Sequence, residues 1–357
     1  MSPAASTALV SWDWGTAYDL FVSLKVLHDP DKFDLRASWA AGVRSRLAPP
    51  DRETLEEAKE VVHFPLQWIY SLPSPKDAST ALQLLERLSP ADRLPALSIS
   101  HDIPGELVDL LHNIAARHSW NEKDRDLLRA LHPAKTPPRG KALTTILEAW
   151  SHPDEFGEAY LQALNAYQTA FFSEEEHRIR SVLQESLAAA QEKATLLPPE
   201  ELIEELSQGV RFASISEIQH IVLSPSYWIT PLIVFEKIET GRVLMLFGAR
   251  PADISLVPGE TVPDAMLRSL KALADPTRLK ILRYLGERSY TPTQLARLLR
   301  LRAPTVIHHL NDLRLAGLVH LTLEGGGEKR YEARLETVIN TFTTLKSFLD
   351  LGSKANR

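Results

Sequence analysis

Two adjacent histidines, His308 and His309, are the residues whose type most invites a chemical role. Imidazoles ligate metals, move protons and meet nucleic acid. Neighbours on a helix are rotated by about 100° and do not face each other, so this pair is a poor ligand set for one ion. A helical metal pair more often has the i, i+4 spacing of H-E-x-x-H. His101, His112 and His118, eleven and six residues apart, do not share a helical face well. The chain has no cysteine, which excludes disulfides and thiolate metal sites. No metal and no cofactor is expected. Catalytic signatures are equally thin: there is no G-x-S-x-G elbow, phosphate loop or dinucleotide fingerprint. No enzyme is therefore expected, although a carboxylate pair needs no motif. Trp12, Trp14 and Tyr18 in "SWDWGTAYDL" suit either an apolar ligand pocket or a core, and core packing is the expectation. "SEEEHRIR" reads as a solvated helix start, with acidic residues at the N-terminal dipole.

The elements that must position these residues fall into regions. The chain has 357 residues, 44% of them apolar and 24% charged, enough for two or three domains with packed cores. No apolar run reaches the roughly 18–20 residues of a membrane span. The opening "MSPAASTALVSWDWG" lacks the features of a signal peptide. A cytoplasmic protein with no membrane partner is expected. Amphipathic helical patterns, beginning at about residue 10, fill 1–205. Segment 206–262 is rich in Ile, Val, Phe, Tyr and Trp and reads as a small β-rich connection, with Thr240-Gly241 as a hairpin turn. The expected class is mainly α, with a compact domain at 263–334 and an amphipathic helix at 335–357. The net charge of −6 hides an asymmetry. Residues 263–334 carry 13 Lys+Arg against 7 Asp+Glu, a net of +6, and the remainder carries −12. A basic block on an acidic protein points to a polyanion partner for that block.

Within the block, Asp275 suits an N-cap with Pro276 at the first helical position. Leu279, Ile281, Leu282 and Leu285 read as that helix's buried stripe. Thr291 and Gln294 have capping-box spacing, followed by an apolar face of Leu295, Leu298 and Leu299. In "APTVIHHLNDLRLAGLV", Val306, Leu310 and Leu313 define a buried side, and Gly317 is placed for a left-handed C-cap. On that wheel His308 points away from the core and His309 lies on its flank, as a packing and hydrogen-bonding residue. Val319, Leu321 and Leu323 then alternate with polar residues. Gly325, Gly326 and Gly327 make a turn, and Lys329, Arg330 and Tyr331 begin a return strand. A phosphate cradle would need the glycines to open a helix, whereas here they join strands. Three helices and a basic hairpin make a winged helix-turn-helix.

"LKALADPTRLKILRYL", "TPTQLARLL", the His-His segment and "GGGEKRYEAR" together resemble the ArsR-type winged-helix transcriptional regulators. The resemblance covers the C-terminal quarter of the chain. It implies a homodimer that binds double-stranded DNA at an inverted repeat, usually as a repressor. Helix 303–316 and wing 319–334 would meet the DNA. Thr305, His308 and Asn311 would face base edges, and Arg300, Arg302, Arg314, Lys329 and Arg330 the phosphates. Two departures stand out. The cysteine cluster of metal-sensing members is missing, and Arg302, Ala303 and Ile307 replace polar residues. Losing a serine cap costs the helix about 1 kcal/mol.

The last segment places Leu335, Val338, Ile339, Phe342, Leu345, Phe348 and Leu349 in one helical stripe. In the resembled family the terminal helices pair, which would set two recognition helices about 34 Å apart. The leading expectation is thus a dimeric DNA-binding regulator, with the long N-terminal region serving dimerisation, a small-molecule effector, or both. Two readings stand beside it. One is an interaction protein whose winged helix no longer reads DNA. The other is a sensor or enzyme activity within residues 1–260.

Overall fold

The structure, a computed structural model, describes residues 8–33, 35–133, 137–212, 218–257, 261–324 and 328–354. It is mainly α. Twelve helices of the body run from Thr16–His28 to Pro199–Leu206 among the described residues. Seven strands are formed among the described residues: β1 (Leu9–Trp12), β2 (Val210–Phe212), β3 (His220–Ser226), β4 (Val234–Glu239), β5 (Arg242–Gly248), β6 (Val319–Leu323) and β7 (Lys329–Ala333).

The first sheet has the order β1-β3-β5-β4. β1 and β3 are parallel, as are β3 and β5, and β4 returns antiparallel to β5. The turn between β4 and β5 falls at Thr240-Gly241, with Gly241 at φ +75°. That conformation favours glycine. The helical reading from residue 10 is corrected by β1, whose Leu9 to Trp12 pair with His220 to Leu223. Val10 and Trp12 pack beside Ile221, Leu223, Met245 and Phe247. A strand whose partner lies more than 200 residues away leaves no local periodicity.

The sheet and the helices share one interior. A single apolar cluster runs from Tyr18, Leu20 and Phe21 to Val222, Trp228, Leu244 and Leu246. Strands β3, β4 and β5 of segment 206–262 are therefore built into the helical body. The seam is pinned by Asp19, which is fully buried on helix Thr16–His28. It accepts hydrogen bonds from Ser226 Oγ (2.7 Å), Trp228 N (2.8 Å) and Tyr227 N (3.2 Å). Burial raises its pKa to about 6 despite those donors. Tyr18 lies in the core, as expected, and donates to Asp13 Oδ2 at 2.6 Å.

The "SEEE" segment is also corrected. Helix Ser173–Ala194 continues from Pro153–Tyr167 through a π-turn at Gln168–Phe172, so it is no free helix start. Glu175 is buried against Arg178 (2.6 and 2.9 Å), and Glu176 holds Thr16 Oγ1 and Ala78 N. Burial there is possible because each carboxylate has partners.

The C-terminal region folds around its own cluster, which includes Ile281, Leu285, Leu295, Val306, Leu310, Leu313 and Leu318. Helices Asp264–Leu273, Pro276–Leu285, Pro292–Leu299 and Ala303–Leu315 lead into β6, β7 and helix Leu335–Lys354. Its sheet has a third strand, which comes from the body. β2 pairs in parallel with β6, Val210 opposite Leu321 and Phe212 opposite Leu323, giving the order β2-β6-β7. Phe212 also meets Phe235 of β4 edge-on at 5.5 Å. Among the described residues no helix is long and apolar enough to cross a membrane.

Candidate nucleic-acid interface

Local chemistry fixes the helices of the basic region where its sequence indicates. Asp275 accepts from Thr277 N and Arg278 N, both at 2.8 Å. The Thr291–Gln294 capping box closes in both directions, at 2.9 and 3.3 Å. The turn between the two helices is held by Arg300 in the left-handed region, φ +55°. Helix Ala303–Leu315 ends in a Schellman motif, with Leu318 N bound to Leu313 O (2.9 Å), Gly317 N to Arg314 O (3.0 Å), and Gly317 at φ +69°.

This helix buries Val306, Leu310 and Leu313 completely and leaves Thr305, His308 and Asn311 exposed. The side chain of His308 is 73% exposed and lies 3.8 Å from Asp312. Asp312 is itself held by Arg278, whose Nε and Nη2 bind Ala272 O and Lys271 O of the preceding helix. The rings of His308 and His309 are 5.9 Å apart. His309 is half-buried, and its Nδ1 has no hydrogen-bond partner among the described residues. The half-buried packing position is as expected, and among those residues Nδ1 takes no part in hydrogen bonding. Arg302 occupies the N-cap without a side-chain bond to the helix, as the missing hydroxyl dictates.

The expected phosphate contacts divide into three groups. Arg300, Arg302 and Lys329 are exposed, with no ion pair among the described residues. Arg330 Nε is 2.9 Å from Glu324 across the hairpin, so its charge is partly compensated. Arg314 is a correction. It is 7% exposed and turned away from the outer face, where its Nη2 donates to Ser207 O of the body at 2.9 Å. Burial, and then Arg334, pull its pKa down to about 10. Residue 314 lies one turn beyond Leu310, so its side chain follows the core side into the body. The glycine turn at 325–327 lies outside the described residues.

Two leucines also depart from expectation. Leu279 (49%) and Leu298 (46%) are exposed, because the short helices carrying them have a narrower contact with the core than the pattern implies. His101 and His118 are exposed and separate, and His112 meets Trp150 at 6.0 Å. Helix Leu335–Lys354 splits its apolar residues. Leu335, Ile339, Phe342 and Leu349 are 55–66% exposed on one face, and Leu345 and Phe348 are half-buried. Val338 packs on the domain's own core and does not belong to the outward stripe.

An ion network between body and wing went unread in the sequence. Arg211 of β2 reaches Glu204 (2.8 Å) and Glu332 of β7 (3.0 Å), and His320 Nδ1 of β6 lies 3.1 Å from Glu204. Burial, followed by Arg211 and Arg334, lowers the pKa of His320. No spacing rule signals this cluster, since it exists only through the β2–β6 pairing.

Residues 275–320 match the sequence profile of a family described as bacterial regulatory protein, arsR family. No curated protein matches the chain at a significant level.

Proposed function

Starting from the ArsR-family helix-turn-helix at 275–320, we propose that this chain is a DNA-binding transcription regulator acting in the cytoplasm as a homodimer, and not an enzyme. Two copies dock helix 303–316 into successive major grooves of an inverted repeat and act as a repressor. The observation that carries this reading is the outer face of the helix: Thr305, His308 and Asn311 stand exposed beside Arg300 and Arg302, with Lys329 on the wing. Hydroxyl, imidazole and amide groups suit base edges, and unpaired cations suit phosphates. The outward stripe of Leu335, Ile339, Phe342 and Leu349 supports pairing through the last helix, since exposed apolar rows of this kind mark association surfaces.

Gel-shift titration of the full chain against its own upstream region tests the proposal. A shifted complex that discriminates against unrelated duplex, and that weakens when Arg302→Glu and His308→Ala are combined, is the expected result. Equal binding to every sequence, unchanged in that variant, would refute direct reading. Ile307, 44% exposed on the same face, favours a second reading in which the helix docks a protein. Absence of salt-dependent duplex binding would select it.

A further inference from the structure

Where the recognition helix ends, the winged helix and the body flank an open cavity of about 280 Å³. Its wall is drawn from Gln208, the turn at Thr230 and Pro231, the segment after β5, helix Asp264–Leu273, residues 315–317, Arg334 and helix Leu335–Lys354. Among the described lining residues there are three arginines, Arg250, Arg268 and Arg334, and no carboxylate. Arg250 and Arg268 are each only 7% exposed.

Buried guanidinium groups need compensation, because removing them from water is costly unless they are well paired. At Arg250 the compensation is incomplete. Asp264, the nearest carboxylate, stands 3.9 Å from Arg250 Nη2. Its oxygens already accept Ser255 Oγ (2.9 Å) and Leu256 N (2.7 Å). Arg250 Nη2 otherwise reaches Thr230 O at 3.3 Å, and its Nη1 has no hydrogen-bond partner among the described residues. Burial, with Arg268 and Arg178 nearby, lowers the pKa of Arg250 to about 10 against the pull of Asp264. Glu336, 3.4 Å from Arg334 Nε, is largely in solvent.

The last helix adds a second, independent feature. Its face toward the cavity carries Thr337, Asn340, Thr341 and Thr344, at i, i+3, i+4 and i+7. An amphipathic helix ordinarily turns its apolar side inward. Here the cavity side carries the buried Thr341, whose Oγ1 donates to Thr337 O (2.9 Å), the half-buried Thr337, and Asn340 and Thr344 at the exposed rim, while Leu335, Ile339, Phe342 and Leu349 face outward. Hydroxyls and amides around a guanidinium cluster are the donors that hold delocalised oxygens.

We propose that this cavity binds a small oxyanion, a phosphate or a carboxylate, and that its occupancy adjusts how the recognition helix is held. The regulatory part rests on the DNA-binding reading above, whereas the binding site does not. The coupling is visible in the existing bonds. Arg268 Nη1 reaches Leu315 O (3.4 Å), Ser269 Oγ donates to Ala316 O (3.1 Å), and Arg334 Nη1 reaches Gly317 O (3.3 Å). The groups that would grip the anion are those that cap the recognition helix. A bound anion competes for these donors, and the helix end shifts relative to Arg250 on the body.

The test is calorimetric titration of the full chain with inorganic phosphate and, separately, with succinate, at constant ionic strength set with chloride. A saturable heat with one site per chain is expected for at least one of them, and which one identifies the class. Arg250→Met should weaken it roughly tenfold or more. If that variant fails to fold, Asn340→Leu with Thr344→Val, both at exposed rim positions, should do the same. No saturable heat with either anion, or binding unchanged in the variants, overturns the site. Duplex binding is then measured with and without the anion. A change of roughly fivefold or more is expected, and no change overturns the regulatory coupling. Arg302→Glu should lose duplex affinity and keep the anion. Anion binding without any duplex binding in the parent chain would refute the DNA reading and leave the site standing.

Discussion

The salt dependence of duplex binding provides a quantitative test of the interface. Five cations were expected on it, and the structure leaves three of them, Arg300, Arg302 and Lys329, exposed and without ion pairs among the described residues. A dimer would then neutralise about six phosphates, and a slope of about −0.9 per contact gives about −5.4 for log K against log[salt]. A fourfold rise in salt weakens such binding by about 2000-fold. Arg302→Ala removes one contact per protomer, so the slope falls to about −3.6 and the same rise costs about 150-fold. Fluorescence anisotropy on a labelled duplex at four or more salt concentrations measures both. Arg314→Gln is the control, because its side chain is buried against Ser207 and cannot reach a phosphate. A slope unchanged by Arg302→Ala, or reduced by Arg314→Gln, would show that the exposed and buried cations have been assigned the wrong way round.

Three further outcomes follow from the packing. Ile339→Glu with Phe342→Glu should convert a dimer to a monomer in sedimentation experiments without changing helix content. Both residues are exposed in the protomer, and burying each in an interface contributes roughly 1.5–3 kcal/mol. A dimer that persists refutes that stripe as the interface. Gly157→Ala should lower the urea midpoint by the equivalent of roughly 1–3 kcal/mol or more, because its Cβ would collide with Pro90 O; an unchanged midpoint contradicts that helix contact. Asp19 has a raised pKa in the folded state, so its contribution to stability is full below the unfolded value near 4 and is lost as pH rises through about 6. The stability advantage of the parent over Asp19→Asn should shrink across that window in thermal unfolding, and an advantage that is flat or growing with pH is the contrary result.

What the sequence disclosed was local. Asp275, the Thr291–Gln294 box and Gly317 act through backbone groups within a few residues, and each appears where its spacing places it. The helical wheel likewise placed Val306, Leu310 and Leu313 inward and Thr305, His308 and Asn311 outward, since one helix against one core is a problem with a single periodicity. It missed Arg314, which lies one turn beyond Leu310 on the flank of the core side and is covered there by a second surface, the body at Ser207. β1 and β2 were unreadable for a related reason: a strand of three or four residues owes its existence to a distant partner, and its own composition carries little of that information. The pairing of Arg330 with Glu324 lies between, visible only once the hairpin register is known.

The parallel joining of β2 to β6 bears on how this protein can be taken apart. A fragment beginning at residue 263 would keep the helices and the hairpin but would leave one side of β6 with its amides and carbonyls open. Such an edge is a template for another chain, so the isolated winged-helix head should gather into aggregates where the intact chain does not. The same geometry limits exchange between proteins: grafting this head onto a foreign body requires the graft to bring residues 204–212 with it, so that Arg211 can hold Glu332 of β7 and keep the strand in register. For this molecule the useful unit of engineering is the head plus its borrowed strand.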